Sequence, residues 1–99
     1  MREITIDTSD LEPPAPMQMV LSELQSVLPG ESYLHQIHRL EPTMVLSRLG
    51  PMGLDAIIQK EGEKYHIYYF YAEDRAKIEE LLDVQGAVSY THLTLPTKA

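Results

Sequence analysis

The sequence contains no cysteine. That single absence removes disulfides, thiol redox chemistry, thiolate zinc sites and cysteine nucleophiles together. Asparagine is absent as well, so there is no N-x-S/T glycosylation sequon. Basic residues are scarce: Lys and Arg total 8 against 15 Asp and Glu, a formal net charge of −7. Phosphate backbones are bound by clustered Lys and Arg, so this acidic field argues against a nucleic-acid surface. No apolar run approaches the roughly 18–20 residues of a membrane helix, and the N-terminus is acidic rather than basic-then-apolar. A chain of 99 residues fits one domain and leaves little room for another. The expectation is a soluble, acidic, cytoplasmic protein with neither nucleic acid nor membrane as partner.

The patterning predicts an α+β fold. In REITIDTS, Ile4 and Ile6 share one face and Thr5 and Asp7 the other, the period of a half-buried strand. DLEPPAP comes next, where three prolines forbid regular structure until the first turn of a helix, the place proline is tolerated. Met17, Val20, Leu21, Leu24, Val27 and Leu28 then recur with helical spacing, and Pro29-Gly30 ends the run. ESYLHQIH reads as a second strand. Pro42 is expected just inside a short helix carrying Met44, Val45, Leu46 and Leu49, with Gly50 and Gly53 as breakers. LDAIIQK and KYHIYYFYA read as strands joined by EGE, a three-residue hairpin loop with Gly62 available for positive φ. AEDRAKIEELLD is a last helix, with acids in its first turn and a narrow stripe of Ile78, Leu81 and Leu82. The order is β-α-β-α-β-β plus a C-terminal helix, a two-layer α/β sandwich.

With LEPPAPM at its first strand–helix junction, this order resembles the TusA-like (SirA-like) sulfur-carrier superfamily, over roughly residues 3–71. Within it, the chain looks most like an uncharacterised bacterial branch that has proline in place of the carrier cysteine. Sulfur carriers show an Asp, then Gly-Leu-x-Cys-Pro-x-Pro, then a helix. Asp7 matches the Asp, Leu11 the Leu, and Pro14 and Pro16 the two prolines; Asp10 stands where Gly is usual and Pro13 where the cysteine would be. The run LPGESYLHQIHRLEPTMVLSRLG resembles that branch's Pro-Gly-Glu, basic residue-x-x-Pro and Leu-x-x-Gly pattern. Persulfide carriage needs a thiolate near a helix N-terminus, and proline offers no sulfur. The resemblance therefore implies the carrier fold without persulfide chemistry, in an adaptor or accessory to a redox or nitrogen-oxide pathway.

Candidate contact residues fall in three places. Pro13, Pro14 and Pro16 border a helix start whose free N–H groups could receive an anion or a partner carboxylate; the plainer reading is that Pro13-Pro14 stiffens the loop and starts the helix. His38, Arg39 and Glu41 stand where the second strand meets the second helix, which the resemblance places near the proline loop. A basic pair there could recognise an anion, and the alternative is a solvated arginine paired with Glu41. Five aromatics fill seven positions from Tyr65 to Tyr71. Alternation puts Tyr65, Ile67, Tyr69 and Tyr71 on one face and His66, Tyr68 and Phe70 on the other. Either the C-terminal helix covers that second face, or Tyr68 belongs to an exposed aromatic surface of the kind that meets partners.

No catalytic template is present: there is no Gly-rich phosphate loop, no G-x-S-x-G and no H-E-x-x-H. His35 and His38, at odd spacing on a strand, point to opposite faces, and His66 from another strand could approach one of them. The resulting expectation is a non-catalytic interaction module with a protein partner and no metal or cofactor. The alternatives are a metal- or ligand-binding domain using His35, His38 or His66 with Glu41, and the front of a longer redox-related protein.

The end of the chain differs in character. From Val88, VSYTHLTLPTKA has no acidic residue and no helical period. Val88 to Thr97 resembles the translation of a transposase mosaic end running into a sequencing adaptor, GTC TCT TAT ACA CAT CTG ACG CTG CCG ACG, with flanking nucleotides that suit Ala87 and Lys98. His92 lies in this stretch and is discounted. Such scars are set aside before fold reasoning. The expected organisation is residues 1–72 as the domain, 73–86 as a C-terminal helix or linker, and 87–99 as a non-native tail; without Lys98 the net charge becomes −8. Sequencing the source DNA checks this: the mosaic-end and adaptor codons are expected at Val88–Thr97, and any other set refutes the scar.

Overall fold

A computed structural model describes residues 1–82. The tail expected over 87–99 and the domain boundary at 86 lie outside the described residues. Strand β1 (Arg2–Asp7), helix α1 (Ala15–Leu24), strand β2 (Ser32–His38), helix α2 (Thr43–Leu46), strands β3 (Leu54–Glu61) and β4 (Lys64–Tyr71), and helix α3 (Arg75–Leu82) succeed one another in that order. The four strands form one mixed sheet in the order β1-β2-β4-β3. Strand β2 pairs parallel with β1, Ile4 opposite Leu34, and antiparallel with β4, Leu34 opposite Tyr69. This is the expected α+β fold.

Strand period decides what each face of the sheet does. Leu34, Gln36 and His38 of β2, Ile67 and Tyr69 of β4, and Ala56 of β3 face α1 and α2. Val20, Leu24 and Leu49 close the core on that side. The opposite face carries Tyr33, Ile57, Tyr68 and Phe70, and α3 lies against it through Ile78 and Leu82. Of the two arrangements open to the aromatic strand, the covered one is found.

Helix α3 is held there by polar contacts as well as apolar ones. Arg75 bonds the buried Asp55 carboxylate at 2.9 Å and Glu79, one turn on, at 3.0 Å. Asp74 accepts a hydrogen bond from the Gly30 amide at 2.7 Å, which ties the start of α3 to the turn between α1 and β2.

Several local expectations change. Helix α1 ends at Leu24, not at Pro29-Gly30. Beyond it, the amides of Ser26 and Val27 reach back three residues, to Glu23 and Leu24, a tightening typical of the end of a helix. Val27 still enters the core, whereas Leu28 turns outward. Its amide donates to the Ser32 hydroxyl at 2.9 Å, and the following proline disfavours helical geometry at that residue. Pro42 caps α2 rather than lying inside it, and Leu49 reaches the core from the turn after that helix. Gly50 opens a short 3₁₀ turn, Gly50–Met52, and Gly53 ends it with φ 77°.

The hairpin loop is shorter than expected. Glu61 pairs with Lys64, leaving a two-residue turn of Gly62 and Glu63, and Gly62 takes the positive φ (64°) that such a turn requires. Leu81, placed in the apolar stripe of the last helix, is 52% exposed. Only Ile78 and Leu82, four residues apart, share the buried side of α3.

Ile78 is fully buried and joins α3 to the sheet. Ile78→Ala is expected to cost about 2–4 kcal/mol in urea denaturation. Leu81→Ala should stay within about 0.5 kcal/mol.

Candidate functional site

The parallel pairing of β1 with β2 brings the ends of both strands, and the loops that leave them, to the same edge of the sheet. Thr8 extends the ladder one step past β1 by donating its amide to the Ile37 carbonyl at 2.9 Å. Its buried hydroxyl donates to the same carbonyl at 3.2 Å. It accepts from Gln36 Nε2 at 2.8 Å and lies 3.0 Å from Nδ1 of His38. The Tyr69 hydroxyl in turn donates to Gln36 Oε1 at 2.7 Å. Burial pushes the Tyr69 phenol well above its ordinary range, so it stays a hydrogen-bond donor.

This network fixes the His38 tautomer. Nδ1 also lies 3.0 Å from the Thr8 carbonyl oxygen, which can only accept. The hydrogen of a neutral ring is therefore on Nδ1, and Nε2 is a bare acceptor. His38 is only 7% exposed, and its Nε2 has no partner among the described residues. The second amide hydrogen of Gln36 is likewise unused there.

Above these groups lies a groove of about 230 Å³. Pro13, Pro14, Pro16 and Met17 line one side of it. Leu40, Glu41, Pro42, Thr43, Met44 and Val45 line the other, with Gln36 and His38 between them. The Pro13–Pro14 peptide is cis. Arg39 straps the two sides together, donating from Nη1 to the carbonyls of Ser9 at 2.6 Å and Leu11 at 2.9 Å. The Asp7 carboxylate accepts from the amide and the hydroxyl of Ser9, which turns the chain out of β1. Those hydrogen bonds hold Asp7 below its ordinary range.

Five of the residues singled out in the sequence thus meet in one groove: Pro13, Pro14, Pro16, His38 and Glu41. Arg39 does not pair with Glu41, as the plainer reading had it. Its Nη1 is used on two backbone carbonyls, and no Lys or Arg lines the groove. The start of α1 is also a poor anion site. Pro16 has no N–H, and the Ala15 amide already donates to Glu12.

Tyr68 belongs to the opposite face and is not an exposed contact residue. It is 9% exposed, with its ring stacked on His35 at 4.4 Å between centroids. Thr8, Gln36 and Tyr69 were not singled out as site residues in the sequence. The available signal was Gln36 itself, an amide alternating with Leu34 on a face that period assigns to the core.

The far face carries a second polar cluster. His35 Nδ1 lies 2.9 Å from the Glu3 carboxylate, and His35 Nε2 lies 2.8 Å from Nδ1 of His66. Glu61 approaches the remaining His66 nitrogen at 3.2 Å. Burial pushes the Glu3 carboxyl up, but hydrogen bonds from Thr5, His35 and Tyr33 outweigh it, and the net shift is downward. Burial, and then the bond to Glu3, push the Tyr33 phenol up to about 12. The facing imidazole nitrogens are used on each other. No group of three or more His, Asp or Glu among the described residues is arranged to hold a metal ion. No helix among them is long and apolar enough to cross a membrane.

No family model matches the chain, and no curated protein or solved structure matches it.

Removing the Tyr69 hydroxyl would strand the buried Gln36 amide oxygen. Tyr69→Phe is expected to lower stability by about 1–3 kcal/mol in urea denaturation, and to broaden the His38 imidazole signals in NMR spectra as the network loosens.

Proposed function

We propose that this protein is a small, cytoplasmic, non-catalytic interaction module that holds a protein partner through the groove between the proline loop and the β2–α2 junction. One observation carries the reading. The two most exposed large apolar residues among those described, Met44 at 62% and Leu40 at 59%, both line this groove. Exposed apolar side chains gathered around a pocket mark contact surfaces far better than singly scattered ones.

The order β-α-β-α-β-β with prolines at the first strand–helix junction is also what the TusA-like resemblance implies. Within that reading the chain is not a persulfide carrier, because it has no sulfur nucleophile at Pro13 or anywhere else in the sequence. Arg39 supports a binding role rather than a chemical one, since its charge is spent on holding the groove's two sides in register.

The paired change Leu40→Glu and Met44→Glu tests this reading. Both side chains are exposed, so the thermal midpoint should move little. Cross-linking in cells should recover the wild-type partner at least about tenfold less efficiently with the variant. Recovery of the same protein in unchanged yield would refute the groove as the contact surface.

A further inference from the structure

The groove has a chemistry more specific than apolarity. We propose that it receives a tyrosine side chain from a basic segment of the partner, whose hydroxyl donates its hydrogen to Nε2 of His38; this assignment rests on the groove being a partner-binding surface.

Three observations lead there. The first is size. An apolar cavity of about 150 Å³ holds a benzene ring, so a groove of about 230 Å³ has room for one substituted ring. Prolines and methionines on its walls suit an aromatic face.

The second is the unused hydrogen-bonding capacity at its floor. His38 is more than nine-tenths buried, at 7% exposure, and its Nε2 accepts. An aromatic ring that answers this acceptor needs a hydrogen to give, and the tyrosine hydroxyl carries one. Phenylalanine would fill the same volume and leave Nε2 without a partner, which costs binding.

The third is charge. Glu41 lines the groove, no Lys or Arg does, and Asp10 and Glu12 stand exposed beside Pro13-Pro14 in a chain of net charge −7. A segment with Lys or Arg beside its tyrosine is steered to such a rim, and an acidic one is repelled.

Titration of the full chain with blocked tripeptides, monitored by NMR, tests the proposal. Lysine–tyrosine–lysine is expected to shift the His38 imidazole nitrogens and the amides of residues 36–45. It should bind about tenfold tighter than lysine–phenylalanine–lysine. Its affinity should fall with added salt. His38→Phe should bring the tyrosine peptide down to the level of the phenylalanine one; the wild-type comparison stands even if that variant does not fold.

Equal binding of the two lysine peptides would overturn the tyrosine assignment and leave the groove as a contact surface. No perturbation of the groove by any peptide would overturn both. Binding of glutamate–tyrosine–glutamate as tight as that of the lysine peptide would overturn the basic segment. Binding of p-cresol alone with the tripeptide's affinity would overturn the partner protein in favour of a free phenol.

Discussion

The Thr8 hydroxyl is the contact on which the groove depends. A hydroxyl has one hydrogen and two lone pairs, and here all three are used. It donates to the Ile37 carbonyl and faces Gln36 Nε2 and His38 Nδ1, and Thr8 itself has no access to solvent. Because the hydroxyl is saturated, Gln36 and His38 have no rotational choice. The amide oxygen of Gln36 is turned to Tyr69, and the imidazole, with Nδ1 held by Thr8, keeps Nε2 as its free acceptor among the described residues. A buried polar network with every member satisfied specifies one arrangement, whereas a partly satisfied one is costly. Among the described residues this one is complete except at His38 Nε2 and one amide hydrogen of Gln36.

The prolines complement that network by withholding hydrogen-bonding groups. A helix start ordinarily offers several free N–H donors, which is why such starts collect anions. Here Pro14 caps the helix, Pro16 sits in its first turn and the Ala15 amide is already used, so the groove wall becomes apolar where it would otherwise be polar. Arg39 reinforces the same outcome. A guanidinium next to a pocket usually makes it an anion site, yet this one turns back to two carbonyls of the proline loop and serves as a strap.

What the sequence revealed, and what it did not, divides along local and non-local lines. Ile4 and Ile6, the alternation of β4 and the helical spacing from Met17 to Leu24 are local periodicities, and each became the expected element on the expected face. The end of α1 was less legible. Val27 and Leu28 continue the helical spacing, but the neighbouring Pro29 and the Ser32 hydroxyl offer the backbone a turn instead, and tertiary packing keeps only Val27 buried. Leu81 failed in the same way: it matches the stripe by type, but the sheet below α3 has room for one residue per turn. Gly62 was assigned its positive φ correctly, while the loop length around it was set by the Glu61–Lys64 pairing, which no local pattern records. The groove lay partly within reach, since a parallel β1–β2 pair must bring Pro13 and His38 to one sheet edge. Thr8, Gln36 and Tyr69 come from three different strands or their continuations, and their meeting depends on register.

The two faces of the sheet show why apolar contact is concentrated where it is. Tyrosines dominate β4 and are the obvious candidates for a sticky surface, yet the fold spends them internally. Tyr69 is in the core, Tyr68 lies under the His35 ring and Phe70 under α3. On the far face, Glu3, His35, His66 and Glu61 form a polar cluster beside the aromatic strand, whose two edges are already paired with β2 and β3. The two most exposed large apolar side chains among the described residues, Leu40 and Met44, flank a backbone already fixed by Pro13, Pro14 and Pro42. Ordering a contact surface on binding costs conformational entropy, and proline removes much of that cost in advance. A groove with rigid walls and a locked imidazole can therefore discriminate among side chains by hydrogen bonding, where a flexible apolar patch would accept any of similar size.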